Sequence, residues 1–340
     1  MGDGSPYAQH LNKKPDMTVR EIRMRLWGRA AVAALLCFGA FTPDFAKAAG
    51  RGDITIDDTY VFPESMTATS DGAVIFGSAK GIIYRAKLGE TLAKPWVTLK
   101  ADEGQMNLLG VLADEKSNTL WVCTMVNAFS PTPSNTPATV MTFNLSDGSK
   151  KGAYPFPPPA SVCNDITIAK DGTAYISDTR NGRIFTLKPG AKKLALFAED
   201  DRLKGIDGLV FSGDGTLYVN IVSRGALIRV DIKPDGSVGD MTELKLSQPL
   251  GGPDGFRLIG GNRFLLAEGT AGKLDEVTIK GDDATIKVLK DGLDSSPATT
   301  LVGNTAYIAE GKIGYLVDPK LKGKDPGPFK AYAVPLDATE

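Results

Sequence analysis

The sequence predicts an all-β fold, a six-bladed β-propeller, from three observations. A short pattern recurs at blade-like spacing, each copy contains a hairpin signal, and helical periodicity is nearly absent after residue 50. Each copy consists of a polar residue, a short apolar strand, a two-residue turn of the Asp-Gly type and a second β-rich strand. A fixed period of about 40–50 residues is typical of propeller blades. A β-sandwich with repeated hairpins is the alternative.

Six copies fill the chain from residue 61 to about residue 316, and the gaps between them run from about 42 to about 54 residues. The clearest second strands are predicted over 73–77, 173–177, 216–220 and 263–267. Third strands follow short turns, for example over 82–86 and 183–187. The copies open at or near Glu64, Gly110, Asn164, Asp207, Asp254 and Ser296.

Two strand-like segments, 53–60 and 329–334, lie outside the six copies. A propeller closes its ring when a segment from one end of the chain completes the last blade, which leaves only short protected edges. We therefore predict that one of these segments supplies the outer strand of blade six.

The first 48 residues have the order of an export signal. Basic residues up to Arg29 precede an apolar run over 30–41, and Ala46-Lys47-Ala48 follows. The run is about a dozen residues, whereas a membrane-spanning helix needs roughly 20, so a retained anchor is the less favoured interpretation. We predict cleavage after Ala48, a single propeller domain over 49–340, and an exported protein, periplasmic or secreted, with no membrane attachment.

The amino-acid composition excludes several classes of partner and of catalytic site. The 39 basic and 40 acidic residues give a net charge of −1 without blocks of like charge, which predicts a small-molecule partner rather than nucleic acid or a membrane surface. The oligomeric state stays open. The one histidine, His10, lies in the predicted signal. Its loss would exclude Ser-His-Asp hydrolysis and His-ligated zinc from the mature protein.

Four of the six opening residues form a predicted metal site. The first strand of each blade lines the central channel, so Glu64, Asn164, Asp207 and Asp254 are expected to converge at one mouth. Carboxylate and amide oxygens select Ca²⁺ or Mg²⁺, and we favour Ca²⁺ with another divalent cation as the alternative. These residues could instead be turn formers. However, they share one register, while the turn aspartates, such as Asp171, lie seven positions later.

These motifs resemble the calcium-dependent propellers of the senescence-marker-protein and gluconolactonase family, and are similar to diisopropyl-fluorophosphatase. The matching positions are Glu64 in Phe62-Pro-Glu-Ser, Asn164 in Cys163-Asn-Asp, Asp207 in Ile206-Asp-Gly-Leu and Asp254 in Gly252-Pro-Asp-Gly-Phe. The resemblance covers nearly all of 49–340 and implies a calcium-dependent hydrolase. We predict Asp254 and Glu64 as catalytic residues, with Asp254 acting as general base or nucleophile.

Two departures from the family bear on the substrate. Asp207 stands where gluconolactonases usually carry Asn, and Val162 stands where they place a sugar-binding Arg. With Cys163 beside it, the wall at Val162 is predicted to be apolar. We therefore expect a lactone or ester that is more hydrophobic than a sugar lactone.

Further substrate contacts are predicted at the same mouth. The long segment 126–137 after the second strand of blade two is predicted to form a lid carrying Phe129. Asp178, Glu268 and Glu310 end second strands there and are predicted to bind substrate or move protons, or alternatively to satisfy loop amides. Two other functions stay open: a non-hydrolytic enzyme similar to strictosidine synthase, using Glu268 or Glu310, and a ligand-binding propeller with structural Ca²⁺.

The pairing of Cys123 with Cys163 is not decided by the sequence. Export would permit a disulfide, and two buried free thiols are the alternative.

Overall fold

The computed structural model describes residues 52–102, 104–130 and 134–336, and all of them belong to one compact unit. The predicted export signal over 1–48 lies outside the described residues. Within the described ranges, no helix is long and apolar enough to cross a membrane.

The sheets confirm the predicted propeller, and every blade is a four-stranded antiparallel unit. Blade one comprises β2 (Pro63–Ala68), β3 (Val74–Ser78), β4 (Ile82–Ala86) and β5 (Leu92–Thr98). Blade two comprises β6 (Met106–Asp114), β7 (Thr119–Val126), β8 (Thr139–Asn144) and β9 (Lys150–Pro155). Blade three comprises β10 (Cys163–Ile168), β11 (Ala174–Asp178), β12 (Arg183–Leu187) and β13 (Ala195–Glu199).

Blade four comprises β14 (Ile206–Phe211), β15 (Leu217–Ile221), β16 (Ala226–Ile232) and β17 (Val238–Glu243). Blade five comprises β19 (Pro253–Gly260), β20 (Arg263–Glu268), β21 (Lys273–Lys280) and β22 (Asp283–Lys290), with the short β18 (Lys245–Leu246) parallel to β22. Helical structure in the described ranges is limited to α1 (Gly314–Val317) and two 3₁₀ turns, Glu115–Ser117 and Asp201–Leu203.

Blade six is assembled from both ends of the described chain. Its inner strands are β23 (Ala298–Val302) and β24 (Thr305–Ala309), followed by β25 (Lys330–Pro335) and then β1 (Ile54–Ile56). The predicted closure is therefore confirmed for the amino-terminal segment, while the carboxy-terminal segment is the third strand. β1 also pairs in parallel with β5, which joins the outer edges of blades one and six.

The six first strands form a closed ring. Each first strand contacts the first strand of the next blade, in the order β2, β6, β10, β14, β19 and β23, and β23 contacts β2. Apolar residues on facing sheets fill the space between the blades, as with Ile221 and Ile184 between blades three and four. This ring fixes the residues that open the first strands around one axis.

The Asp-Gly turns between first and second strands are hairpins, as predicted. In blade three the Oδ1 atom of Asp171 accepts a hydrogen bond from the backbone N–H of Thr173, at 2.9 Å. Gly172 has a φ of 87°, which a residue without a side chain adopts without steric cost. The turn aspartates therefore have a local structural role that differs from that of the opening residues.

A disulfide joins Cys123 of blade two to Cys163 of blade three. Both cysteines are fully buried, and the bond lies in the apolar cluster between these blades. Of the two alternatives left by the sequence, the structure has the disulfide.

Candidate functional site

The four predicted metal ligands lie at irregularities in the first strands. The pairing register of β10 with β11 shifts between Cys163 and Ile166, which leaves Asn164 inside a bulge. Shifts at the corresponding points of β2, β14 and β19 include Glu64, Asp207 and Asp254. A β-bulge re-aims a side chain that regular pleating would direct toward a neighbouring sheet. The bulges therefore explain why one position in each of these blades faces the axis.

The bulges also explain the Asp-Gly pairs that open blades four and five. A Cβ atom on Gly208 would lie 2.3 Å from the carbonyl oxygen of Asp254, and one on Gly255 would lie 2.7 Å from that of Pro297. Neither glycine is in a turn; each allows its first strand to approach the next one closely. The interpretation of Asp207 and Asp254 as turn formers is therefore excluded.

The structure brings all four residues together in one pocket. Glu64, Asn164, Asp207 and Asp254 line a pocket of about 190 Å³. Val162 and Phe129, two of the predicted substrate contacts, also line it. The remaining lining residues are apolar and were not predicted: Leu109, Met125 and Ala128. The pocket therefore combines an acidic floor with apolar walls.

Hydrogen bonds connect the polar residues of the pocket. The Asn164 side chain donates through Nδ2 to Oδ2 of Asp207 at 2.7 Å and to Oγ1 of Thr179 at 3.0 Å. The carboxyl groups of Asp207 and Asp254 lie close enough to influence each other's pKa. Asp207 is therefore the member of the group that contacts two of the others.

Burial and neighbouring negative charges raise the pKa values of the three carboxyl groups. Burial and then the charge of Asp207 raise the pKa of Glu64 to about 8. Burial and then the charge of Asp165 raise the pKa of Asp207 to about 7. Burial, followed by the charges of Asp207 and Glu64, raises the pKa of Asp254 well above its usual range. Such mutual repulsion is relieved either by protons or by a cation.

The donor set fits a hard cation by its chemistry. Three carboxylates and an amide oxygen, without histidine or thiolate, are typical ligands of Ca²⁺. Among the described residues, however, no three acidic, histidine or cysteine side chains already surround one point at ligand distance. The Asn164 side chain presents its Nδ2 donor, and not its amide oxygen, to Asp207. Cation binding would require these side chains to turn.

The predicted rim residues Asp178, Glu268 and Glu310 do not line the pocket. Each accepts a hydrogen bond from a backbone N–H in the segment that enters its blade. Asp178 accepts from Val162 at 2.9 Å, Glu310 accepts from Asp294 at 3.1 Å, and Glu268 accepts from Gly251. The contacts agree with the alternative interpretation, in which these acids satisfy loop amides.

Each rim acid also has a basic neighbour a few residues later in the chain. Arg183 lies 2.7 Å from Asp178, Lys273 lies 3.5 Å from Glu268, and Lys312 lies 3.8 Å from Glu310. In each of these three blades, therefore, an acid with a basic partner holds the start of the first strand in place through a backbone N–H. Cys163, the other predicted substrate contact, is buried in its disulfide and does not line the pocket.

A further charged pair crosses the axis next to the pocket residues. Arg257, three residues after Asp254, donates from Nη1 to Oδ2 of Asp165 at 2.7 Å and from Nη2 to Oδ1 at 3.1 Å. Its Nη2 atom also lies 3.4 Å from Oγ of Ser65. Side chains from blades five, three and one therefore meet across the axis. This pair was not predicted from the sequence, although Asp165 directly follows an opening residue.

Fold and site together define a class: a six-bladed propeller with an axial pocket built from three carboxyl groups and one amide. No protein-family model matches the chain, and no curated protein matches it in sequence. Solved structures do match, and the three described below are 11–15% identical to this chain, which establishes no shared function.

Three solved structures illustrate the match. The Malassezia sympodialis allergen Mala s 1 has a TM-score of 0.63 at 15% identity, covering 83% of this chain and 96% of its own. A luciferin-regenerating enzyme has a TM-score of 0.58 at 11% identity, covering 86% and 95%. Virginiamycin B lyase from Staphylococcus aureus has a TM-score of 0.55 at 14% identity, covering 83% and 98%. These are propellers, and the likeness establishes the fold.

Proposed function

We propose that the protein is a calcium-dependent hydrolase of a lactone or ester with an apolar body. One arrangement carries the proposal: Glu64, Asp207 and Asp254 converge with Asn164 on a single pocket, where burial and neighbouring negative charges raise all three carboxyl pKa values. Protein structures rarely bury three neighbouring acids without a cation or a catalytic need. The oxygen-only donor set favours Ca²⁺ over softer metals.

The four opening residues would hold the ion. When bound, Ca²⁺ polarises a carbonyl oxygen and stabilises the negative charge that develops on it. Glu64 and Asp207 approach from opposite blades of the ring, one and four, so they would hold it from two sides. Asn164 would contribute its amide oxygen.

Asp254 is proposed to act on the nucleophile. As general base, it takes a proton from water while the water oxygen bonds to the carbonyl carbon, and the bond to the leaving oxygen then breaks as that oxygen gains a proton. The backbone leaves room beside this carboxylate, because a Cβ atom on Gly269 would lie only 2.9 Å from its Oδ2 atom. Direct attack by Asp254 on the carbonyl carbon is the other route.

The walls of the pocket support the substrate preference. Val162, Leu109, Met125 and Phe129 present side chains that bind no sugar hydroxyls. Burial of apolar surface contributes roughly 25 cal/mol per Å², so an aromatic or aliphatic group gains more here than a polyol does. An apolar lactone or ester is therefore favoured over a sugar lactone.

The test is activity on a panel of aromatic and aliphatic lactones and esters, with and without Ca²⁺. We expect calcium-dependent hydrolysis that Asp254→Asn lowers by about 10²-fold or more, since a general base contributes that much. The exposed Glu199→Gln variant is the control and should retain full activity. Full activity in a folded Asp254→Asn variant would refute the role of Asp254. If chelation lowers only the melting temperature, Ca²⁺ is structural.

A further inference from the structure

A second cavity adjoins the acidic pocket. It has a volume of about 230 Å³, and Met125 and Ala128 line both spaces. A ligand held at the acidic pocket can therefore extend past these two side chains. The remaining walls come from the two ends of the segment joining β7 to β8 and from residues 156–161, which lead into blade three.

The base of this cavity is preformed. The backbone N–H of Ala128 donates to Oδ1 of Asn107 at 2.7 Å, and the backbone N–H of Gln105 donates to Oδ1 of Asn127 at 2.8 Å. Asn107 is 4% exposed. These contacts hold the first residues after β7 against blade two. That edge of the cavity is consequently ordered before any ligand binds.

The opposite wall is held by the buried ion pair of blade three. Arg183 donates from Nη2 to Oγ of Ser161 at 2.9 Å and to the carbonyl oxygen of Pro159 at 3.2 Å. Asn181 donates from Nδ2 to the carbonyl oxygen of Ala160 at 3.0 Å. Phe156 packs edge-on against Phe185 below this wall. The wall presents an aromatic ring and a run of prolines, and is largely apolar.

Among the described residues, one charged side chain lines this cavity, that of Arg180. It is exposed, and no hydrogen bond or ion pair to another side chain is found for it within residues 52–102, 104–130 and 134–336. Arg180 lies in the turn between β11 and β12, next to Thr179, which accepts a hydrogen bond from Asn164 in the acidic pocket. The same turn therefore borders both spaces.

Acidic residues also lie near Arg180, in a shallow cleft on its other side. Asp200 is 2.7 Å from Arg202, and Asp201 is 2.7 Å from Lys204. Glu199 is the remaining acid of that cleft, and no ion pair joins it to Arg180 within the part of the chain that the structure describes. The guanidinium group thus keeps its donors available for an anion in the cavity.

We propose that this cavity binds the carboxylate-bearing apolar part of the substrate, with Arg180 binding the carboxylate. A planar guanidinium donates two parallel hydrogen bonds to a carboxylate, and the apolar walls bury the hydrocarbon between that group and the acidic pocket. The substrate class becomes an apolar ester or lactone with an anionic group remote from the reacting carbonyl. The assignment of this ligand as part of the substrate rests on the proposed function, whereas the affinity of the cavity for an apolar carboxylate does not.

The test is a binding titration that is monitored by NMR. EDTA is present, so the titration involves neither calcium nor turnover. The probes are phenylbutyrate and its neutral amide, phenylbutyramide. We expect phenylbutyrate to bind about tenfold more tightly than the amide, and Arg180→Gln to remove about five- to tenfold of that affinity. The affinity for phenylbutyramide should not change in this variant.

Two further variants complete the test. Arg224→Gln removes a cation from the equivalent turn of blade four, outside the cavity, and should leave both affinities unchanged. Ala160→Phe fills the cavity at an exposed position and should weaken both probes. Equal affinity of the wild-type protein for the two probes, or an equal effect of Arg180→Gln on both, would overturn the proposal. Because the titration needs neither calcium nor hydrolysis, its result is independent of the hydrolase test.

Discussion

At the scale of single residues, the buried acids of this protein lie in three environments, and some of them, such as Asp178 and Asp165, form ion pairs. Those of the acidic pocket contact one another around the axis. Asp275 lies elsewhere, on β21 between blades four and five, and is fully buried. Neither of its oxygens has an N–H or hydroxyl donor among the described residues. Burial and then the charge of Glu268 raise the pKa of Asp275 to about 8.

This raised pKa predicts a pH dependence of stability. Between about pH 4 and pH 8 the folded protein retains a proton on Asp275 that the unfolded chain has lost. The free energy of unfolding should therefore decrease as pH rises through this window and level off above it. Asp275→Asn, which needs no proton, should show a smaller decrease between pH 5 and pH 8 in urea denaturation.

The control for this experiment is Asp240→Asn, an exposed position, which should keep the wild-type slope. An Asp275→Asn variant with the wild-type dependence on pH would contradict the assignment of a buried, protonated carboxyl group.

At the scale of elements, the first strands determine the site. The shared register of Glu64, Asn164, Asp207 and Asp254 could be predicted, because residues at equal positions in repeated blades occupy equal places around the axis. The bulges that turn these residues inward could not, because they depend on how closely neighbouring first strands approach. The contact of Arg257 with Asp165 also escaped prediction, since it depends on which blades face each other.

The crossing pair predicts a large cost for removing one partner. Arg257→Met would leave the Asp165 carboxylate, which is 4% exposed, without its charged partner. Loss of one member of a buried pair typically costs about 3–5 kcal/mol of unfolding free energy. Arg224→Met breaks an exposed pair with Glu243 and should cost at most about 1 kcal/mol. Similar values for the two variants in chemical denaturation would contradict the structure across the axis.

At the scale of the whole molecule, closure of the ring is the determining feature. The propeller was predictable because a single blade cannot bury both its faces, so the repeat itself requires a ring. The sequence left open which terminal segment closes blade six. In the structure, β25 is the third strand of blade six. β1 pairs with its outer edge and also with β5 of blade one.

Closure predicts that a residue near the start of the domain stabilises the whole ring. Ile54 of β1 is fully buried between blades one and six, so Ile54→Ala should lower the free energy of unfolding by about 2–5 kcal/mol. Val288→Ala, on the outer strand of blade five, is the control because that side chain is 39% exposed, and it should cost about 1 kcal/mol or less. If Ile54→Ala were as mild as the control, β1 would not close the ring.

Calorimetric titration of Ca²⁺ examines the proposal that the four opening residues form one calcium site. We expect one ion bound per chain by the wild-type protein and by the exposed Glu199→Gln control. We expect no binding by the Asp207→Asn/Asp254→Asn double variant, whose fold is verified by circular dichroism. Wild-type protein that binds no Ca²⁺, or a double variant that binds it with unchanged affinity, would contradict the claim.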